Sequence, residues 1–495
     1  LFKIIFKKKL DMRLIYSFFI LIIFGQVGFS QFVNNGAIVT IQPGATLKVE
    51  TNFTNENSGT FTNNGVLEVT GNFTNSATFT SGVGSEVKFS GNTTSTLTPG
   101  SAQFQNITMA KTAANVNLAG NTTVNGILNF STPNNKIVLG SHNLTMGSNG
   151  TVIGAGSDKY VVATGSGRMI KPISAPGTLT FEVGDSDATT HYSPLSTNIT
   201  GSGFTGVSFG VNLVNAVHPD KPAYATDFLT RHWDVDMTGT ISSGFGNTMT
   251  GTYIVSNDVV GMQGEINGAV WNGATWSFAN ANNSGNTITA STTVGDVDFS
   301  GFKGRVVFDL TAYLEGYMTG GVMRPVLVNS GVPGSNSSQC DTITVQLRNS
   351  TSPYAVAHTF KGVIGVNGQL QCYFPTSAMG VNYYIAFQHR NAMETWSANA
   401  LPLVNNGSYN FSTSAGQAFG DNMKGMGGGG TAPFAFYSGD IDNNGEVSSG
   451  DFTLWKNNSG EEGYNESDLD GNGEVSSGDF TIWKNNSGVE VMKPN

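Results

Sequence analysis

Charge is scarce in this chain. Only 12% of its 495 residues are Asp, Glu, Lys or Arg, and no Arg occurs between Gln31 and Gly165. Basic residues are too scattered to build a nucleic-acid face. Cysteine is limited to Cys340 and Cys372, which excludes a disulfide-dense scaffold. After residue 30 no apolar run reaches the length of a bilayer span, so no transmembrane segment is expected in the mature chain. No P-loop occurs, and the histidines (His142, His191, His218, His232, His358, His389) show no HxxxH-type zinc spacing. Low charge does not imply disorder here, because 38% of the residues are hydrophobic and the net charge of −10 is small for the length.

Glycine, Asn, Thr and Ser are plentiful, with 64 Gly and 32 Phe. That mixture reads as many short strands joined by tight turns, a mainly β chain of several domains. Residues 1–30 read as a leader and secretory signal. Lys7–Lys9 and Arg13 form a positive region, Leu14–Phe24 an apolar core, and Gly28 and Ser30 a small-residue cleavage site before Gln31. An uncleaved membrane anchor is the competing reading. Either way the mature protein is expected to be secreted or at the cell surface. In that oxidising setting Cys340 and Cys372, each flanking a strand-like run, suggest a disulfide; two independent buried thiols are the alternative.

Residues 31–160 are repetitive. Glu50-Thr-Asn-Phe-Thr-Asn55 recurs as Thr70-Gly-Asn-Phe-Thr-Asn75, and Asn34-Asn35-Gly36 recurs as Asn63-Asn64-Gly65. Repeats of this length with Asn/Gly corners suggest a parallel β-solenoid, in which Leu67 and Val69 point inward and corner Asn residues form ladders. An ordinary β-sandwich competes with that reading. Residues 161–310 and 311–426 lose the repeat but keep strand runs, and each reads as a β-sandwich. A glycine-rich linker (427–437) leads to a last module, 438–495.

That module carries a duplicated twelve-residue pattern starting at Asp440 and again 28 residues later at Asp468. Calcium loops need oxygen ligands at positions 1, 3, 5, 7, 9 and 12. The first copy supplies Asp440, Asp442, Asn444, Glu446 (through its carbonyl), Ser448 (directly or through water) and Asp451. The second supplies Asp468, Asp470, Asn472, Glu474, Ser476 and Asp479. Gly445 and Gly473 permit the sharp turn, and Val447 and Val475 are placed to pair the two loops. Two Ca2+ ions are therefore expected. Residues 438–495 hold 12 acidic and 3 basic residues, nearly all of the net charge, so folding of the module should depend on the cation.

The duplicated loop resembles a dockerin, over about 55 residues. The resemblance implies a helix after each loop and a cohesin partner, touched at Ser449, Lys456, Ser477 and Lys484. The sequence departs from the pattern after Lys456 and Lys484, where Asn-Asn-Ser-Gly suggests very short helices. The larger chain resembles secreted surface proteins of Bacteroidetes type. The resemblance rests on Tyr313-Leu-Glu-Gly-Tyr317, Tyr384-Ile-Ala-Phe-Gln-His-Arg-Asn391, Glu394-Thr-Trp-Ser397 and Tyr437-Ser-Gly-Asp440, with Phe181-Glu-Val-Gly184, Tyr192-Ser-Pro194, Arg231-His-Trp-Asp234 and Trp271-Asn-Gly-Ala-Thr-Trp276. It implies an exported, adhesin-like role.

Catalysis is not expected. A polysaccharide hydrolase or lyase needs converging carboxylates, and the solenoid offers only Glu50, Glu56, Glu68, Glu86 and Asp158. Stacked rungs could bring Glu50 and Glu68 together. Glu182, Asp185 and Asp187 read as a turn, and Asp234 and Asp236 as a solvent-facing strand pair. Trp271, Trp276 and Trp396 suit a core, with sugar stacking as the alternative. The reading is an exported adhesin-like binding protein with a calcium-stabilised end, its partner a cohesin-like protein or a surface glycan. The alternative is a dockerin-tethered part of a polysaccharide-degrading system.

Overall fold

The computed structural model describes residues 31–186, 191–282, 285–427 and 433–495, in two compact units that divide between Gly304 and Arg305. The expected leader and Asp187 lie outside the described residues.

The first unit begins as a parallel β-solenoid. Eight strands stack in one parallel sheet, beginning with Phe32–Asn35, Phe53–Glu56 and Phe73–Asn75. A six-stranded sheet includes Thr46–Val49, Val66–Val69 and Glu86–Gly91. The sequence repeat causes the stacking, because Phe53 pairs with Phe73 and Asn55 with Asn75 across the rungs. The two rings stack at 4.9 Å, and Phe61 stacks on Phe79 at 5.5 Å. Leu67 and Val69 point into the core, in register with Leu47 and Val49 on one side and Val87 and Phe89 on the other. Asn34 Nδ2 donates to Asn55 Oδ1, and Asn55 Nδ2 to Asn75 Oδ1, both at 2.8 Å. These amides are buried, so the ladder avoids the desolvation cost of orphaned polar groups. The second sequence echo has a different meaning. Asn63 pairs with Ile41 and Ser81, on another sheet from Asn34.

Glu50 and Glu68 do not converge. Lys48, Glu68 and Lys88 stand in register so that charge alternates from rung to rung. Glu68 meets Lys88 at 3.0 Å, and Glu50 meets Lys48 at 2.8 Å.

The expected boundary at residue 160 is absent. Solenoid strands Thr122–Val124, Leu144–Met146 and Met169–Pro172 belong to a sheet that continues into the long antiparallel strands Leu195–Val214 and His232–Thr252. One hydrophobic core runs from Ile41 to Phe299. The second long strand ends at Thr252, and a helical turn, Val255–Asp258, follows it. A run with GxSxG spacing, Gly206-Val-Ser-Phe-Gly210, lies inside the first long strand, with Ser208 Oγ 2.7 Å from Thr238 Oγ1. It forms no strand-to-helix elbow, the geometry that exposes a nucleophile.

The second unit starts at Arg305. A five-stranded sheet built on Gln339–Asn349 and a three-stranded sheet built on Arg305–Thr311 enclose a single core. The expected disulfide is not formed, and Cys340 and Cys372 are free, buried thiols. They lie on different sheets. Cys340 Sγ packs 3.8 Å from Met323 Sδ, while Cys372 is the register partner of Phe308. Burial pushes both thiols well above their usual range. Residues 428–432 of the expected linker lie outside the described residues, and its flanks are packed. Lys424–Gly425 pairs with Phe434–Ala435, and Phe436 is buried between Tyr313 and Glu315 through backbone bonds. The sandwich and the last module are therefore joined by packed strands.

Candidate functional site

Each calcium loop is organised by its own carboxylates. Asp440 accepts from the N–H groups of Asn444 and Gly445, each at 3.1 Å. Asp468 accepts from Gly471, Asn472 and Gly473 at 2.9, 3.2 and 3.0 Å. Gly445 and Gly473 both have φ of +91°, a left-handed backbone that position 6 requires and other residues resist. Carboxylate oxygens of Asp440, Asp442 and Asp451 lie within 4.8 Å of one another, as do those of Asp468, Asp470 and Asp479. Asn444 and Asn472 at position 5 brace the loops, donating to Asp442 at 3.0 Å and to Asp470 at 3.3 Å.

An all-oxygen, acid-rich cage suits a hard divalent cation of calcium type. The electrostatics agree. Burial raises the Asp440 carboxyl to about 6, with Asp451 beside it adding to the rise. Burial raises Asp468 to about 6 as well, with Asp479 contributing. Asp479 is raised for the same first reason. A divalent cation offsets both the burial and the carboxylate repulsion that raise these groups.

The helices are longer than the sequence suggested. Ser449–Asn458 and Ser477–Asn486 each have 10 residues, because each begins inside its loop and runs on through the Asn pair. Ser448 and Ser476 are their N-caps, forming capping boxes with Asp451 and Asp479. The position-12 carboxylate therefore serves both cage and helix start.

Val447 and Val475 do not pair the loops with each other. Val447 N–H donates to Val489 O at 2.9 Å, and Val475 N–H donates to Glu461 O at 2.8 Å. Each loop pairs with the segment that follows the other loop's helix. Trp455 Nε1 donates to Ser476 O and Trp483 Nε1 to Ser448 O, at 3.0 and 2.9 Å. The duplicated halves are thus tied reciprocally.

The preceding sandwich grips this module. Asn391 Nδ2 donates to Glu466 O and Asp468 O at 3.0 and 2.9 Å, and Asn329 Nδ2 to Gly471 O at 2.9 Å. Arg390 Nη1 donates to Asn465 O. A Cβ at Gly316 would run into the Leu469 carbonyl, so glycine alone allows this approach. Asp341 sits at the centre, accepting from Tyr317, His389, Arg390 and Tyr464. Sequence reasoning gave none of these residues this role. Tyr317, Arg390 and Asn391 lie in the motifs shared with secreted surface proteins and reach the dockerin module, while His389 supports them through Asp341. Ser449, Lys456, Ser477 and Lys484 are all exposed on the two helices.

Trp396 is buried in the sandwich, whereas Trp271 and Trp276 are half-buried and pack on each other at 5.3 Å. Asp234 and Asp236 both pair with Arg168, at 2.6 and 2.8 Å. Asp185 is buried against Arg231 at 2.9 Å, and Glu182 is paired with Lys171 at 2.8 Å.

The fold and cages at 438–495 define a duplicated calcium module of EF-hand type. Residues 438–486 match the dockerin type I domain family. This segment is a dockerin module, and it binds Ca2+ through its two loops. No curated protein matches the chain. Two solved structures are similar to part of it, an N-terminal and a C-terminal interface mutant of a type II cohesin–X–dockerin complex from Acetivibrio cellulolyticus. Each has 13% identity and a TM-score of 0.24, covering 37% of this chain and 97% of the other. A likeness that low defines no shared function. Among the described residues no helix is long and apolar enough to cross a membrane.

Proposed function

We propose that this chain is an extracellular component tethered to a cohesin-bearing scaffold through residues 438–486, and that its β-rich remainder is a non-catalytic binding arm. The observation that carries the tether is the pair of helix-flanked calcium cages in a segment of the dockerin family. The sandwich covers the second loop and the C-terminal tail, but Ser449, Lys456, Ser477 and Lys484 remain open to a partner. Calcium holds the loops that start both helices, so docking depends on the ion.

A glycan ligand for the arm is the second element, favoured by one groove of about 440 Å³ in the first unit. Asn198, Thr200, Thr248, Asn272, Ser277 and Ser291 line it, and no ionisable side chain does. Neutral hydroxyls and amides suit a neutral polyhydroxylated ligand.

A pull-down of the full chain on immobilised type I cohesins, with calcium or with chelator, tests the tether. Capture in calcium that disappears with chelator, and with Ser449, Lys456, Ser477 and Lys484 all replaced by Ala, is expected. Capture indifferent to both would sink it. A glycan array with the wild type and Ser277→Trp tests the arm, and equal signals would remove the groove from the account.

A further inference from the structure

We propose that His218, His232 and Asp298 form a site for one divalent ion of the zinc class, which fastens the segment after Val214 onto the sheet beneath it. Each side chain directs one ligand atom into a common space, and the three atoms lie within 4.8 Å of one another. His232 opens the strand His232–Thr252, and Asp298 lies on the neighbouring strand Val297–Phe302. Asp234 is the register partner of Asp298, so the two-residue period of a strand puts His232 on the same sheet face. His218 arrives from the connection between Val214 and Phe228. Ligands drawn from three places leave no spacing motif in the sequence.

The surroundings prepare the donors. A carbonyl can only accept, so the 3.1 Å contact of His232 Nδ1 with Ala216 O fixes the proton on Nδ1. Nε2 then carries a lone pair, the state of a metal-bound imidazole with an outer partner. His218 Nε2 lies 3.0 Å from Asp298 Oδ2, and Nδ1 accepts from the Asp220 N–H at 3.1 Å. Without an ion, Nε2–H donates to Asp298. With an ion, Nε2 and the carboxylate become neighbouring ligands, and the ring proton moves to Nδ1. The Asp220 backbone N–H would then face a second donor, so ion binding requires the exposed Pro219–Asp220 turn to shift and release it to water. The neutral ring releases no proton in this exchange.

Two imidazoles and one carboxylate favour zinc-class ions over calcium or magnesium. Asp234 and Asp236 share the face but are committed to Arg168, which leaves Asp298 as the available carboxylate. Trp276 and Trp271 wall the site, with ring centroids 4.8 and 6.0 Å from His218. Both histidines are buried and Asp298 is partly exposed, so the ion would enter past the carboxylate.

The test uses the full chain without a histidine tag, in saturating calcium so that the dockerin loops are filled. Zn2+ is titrated by calorimetry and Co2+ by visible absorption. One Zn2+ per chain is expected, with Co2+ bands of a nitrogen/oxygen site, and both weakened about tenfold or more by His232→Gln and by Asp298→Asn. Ion-free melting of each variant is recorded alongside. If a variant loses its ion-free transition, the wild-type Co2+ spectrum decides, and absence of site bands refutes the proposal. Zinc uptake by folded variants equal to that of the wild type refutes it too.

Discussion

Replacing Asp341 by Ala should loosen the sandwich and the dockerin module together. The carboxylate accepts from Tyr317 Oη and His389 Nε2 at 3.1 Å and from Arg390 Nε at 3.0 Å, and Tyr464 of the module also donates to it. Burial alone would raise its pKa, but the bonds and charges of His389, Arg390 and Tyr464 outweigh burial and hold it well below the usual carboxylate range. The group is therefore ionised, and its loss leaves Arg390 without an anion in a buried site. Breaking one side of such a pair costs about 3–5 kcal/mol. For a unit the size of Arg305–Asn495, that is a fall in Tm of roughly 6–20 °C. Differential scanning calorimetry of the full chain in calcium reads it. The second loop should also lose more calcium affinity than the first, because Arg390 and Asn391 hold the carbonyls of Asn465 and Asp468. An unchanged transition, or a dockerin module that melts separately from the sandwich in the wild type, would refute the reasoning.

Asp440→Ala with Asp468→Ala should abolish both calcium-binding events in calorimetry while the solenoid's melting stays in place. Since the Asp440 and Asp468 carboxyls stand at about 6 in the ion-free loops, protons compete with calcium below that value. Calcium affinity should be full above about pH 6 and fall as pH drops through it. Ion-free stability moves the other way. Between the ordinary carboxylate value and about 6 the native loops bind more protons than the unfolded chain, so stability declines as pH rises through that window. Paired melts with and without chelator show both signs. Asn55→Ala breaks the buried amide ladder on both sides and should cost the solenoid about 2–4 kcal/mol, measurable by denaturant unfolding. Thiol titration should find two reactive groups in denaturant without reductant and none in the native chain; zero in denaturant would restore the disulfide.

The sequence disclosed what repeats. The Phe–Thr–Asn repeat maps residue for residue onto the rungs at Phe53 and Phe73, because a solenoid stacks like on like. The calcium ligands were legible for a similar reason, since one short segment supplies a whole cage. What stayed hidden depends on distant pairings. The sequence suggests shorter helices because Asn457 and Asn458 are weak helix formers in isolation, whereas capping at Ser448 and the cross-bond of Trp455 extend the helix through them. Two cysteines in an exported-looking chain suggested a bridge, but strand order put Cys340 and Cys372 on different sheets. The glycine-rich stretch suggested a free linker, but its flanks pair as strands through Lys424 and Ala435. Asp341, Arg390 and Tyr464 are far apart in sequence, and only the folded chain brings them together.

The most direct test of the account is calorimetric titration of the full chain with a type I cohesin, in calcium, then in EDTA, then with calcium restored. One cohesin per chain in calcium, no binding in EDTA, recovery on restoring the ion and loss in the Asp440→Ala, Asp468→Ala variant are expected. Binding that persists in EDTA, or a chain that takes up two Ca2+ yet engages no cohesin in a broad panel, would contradict it.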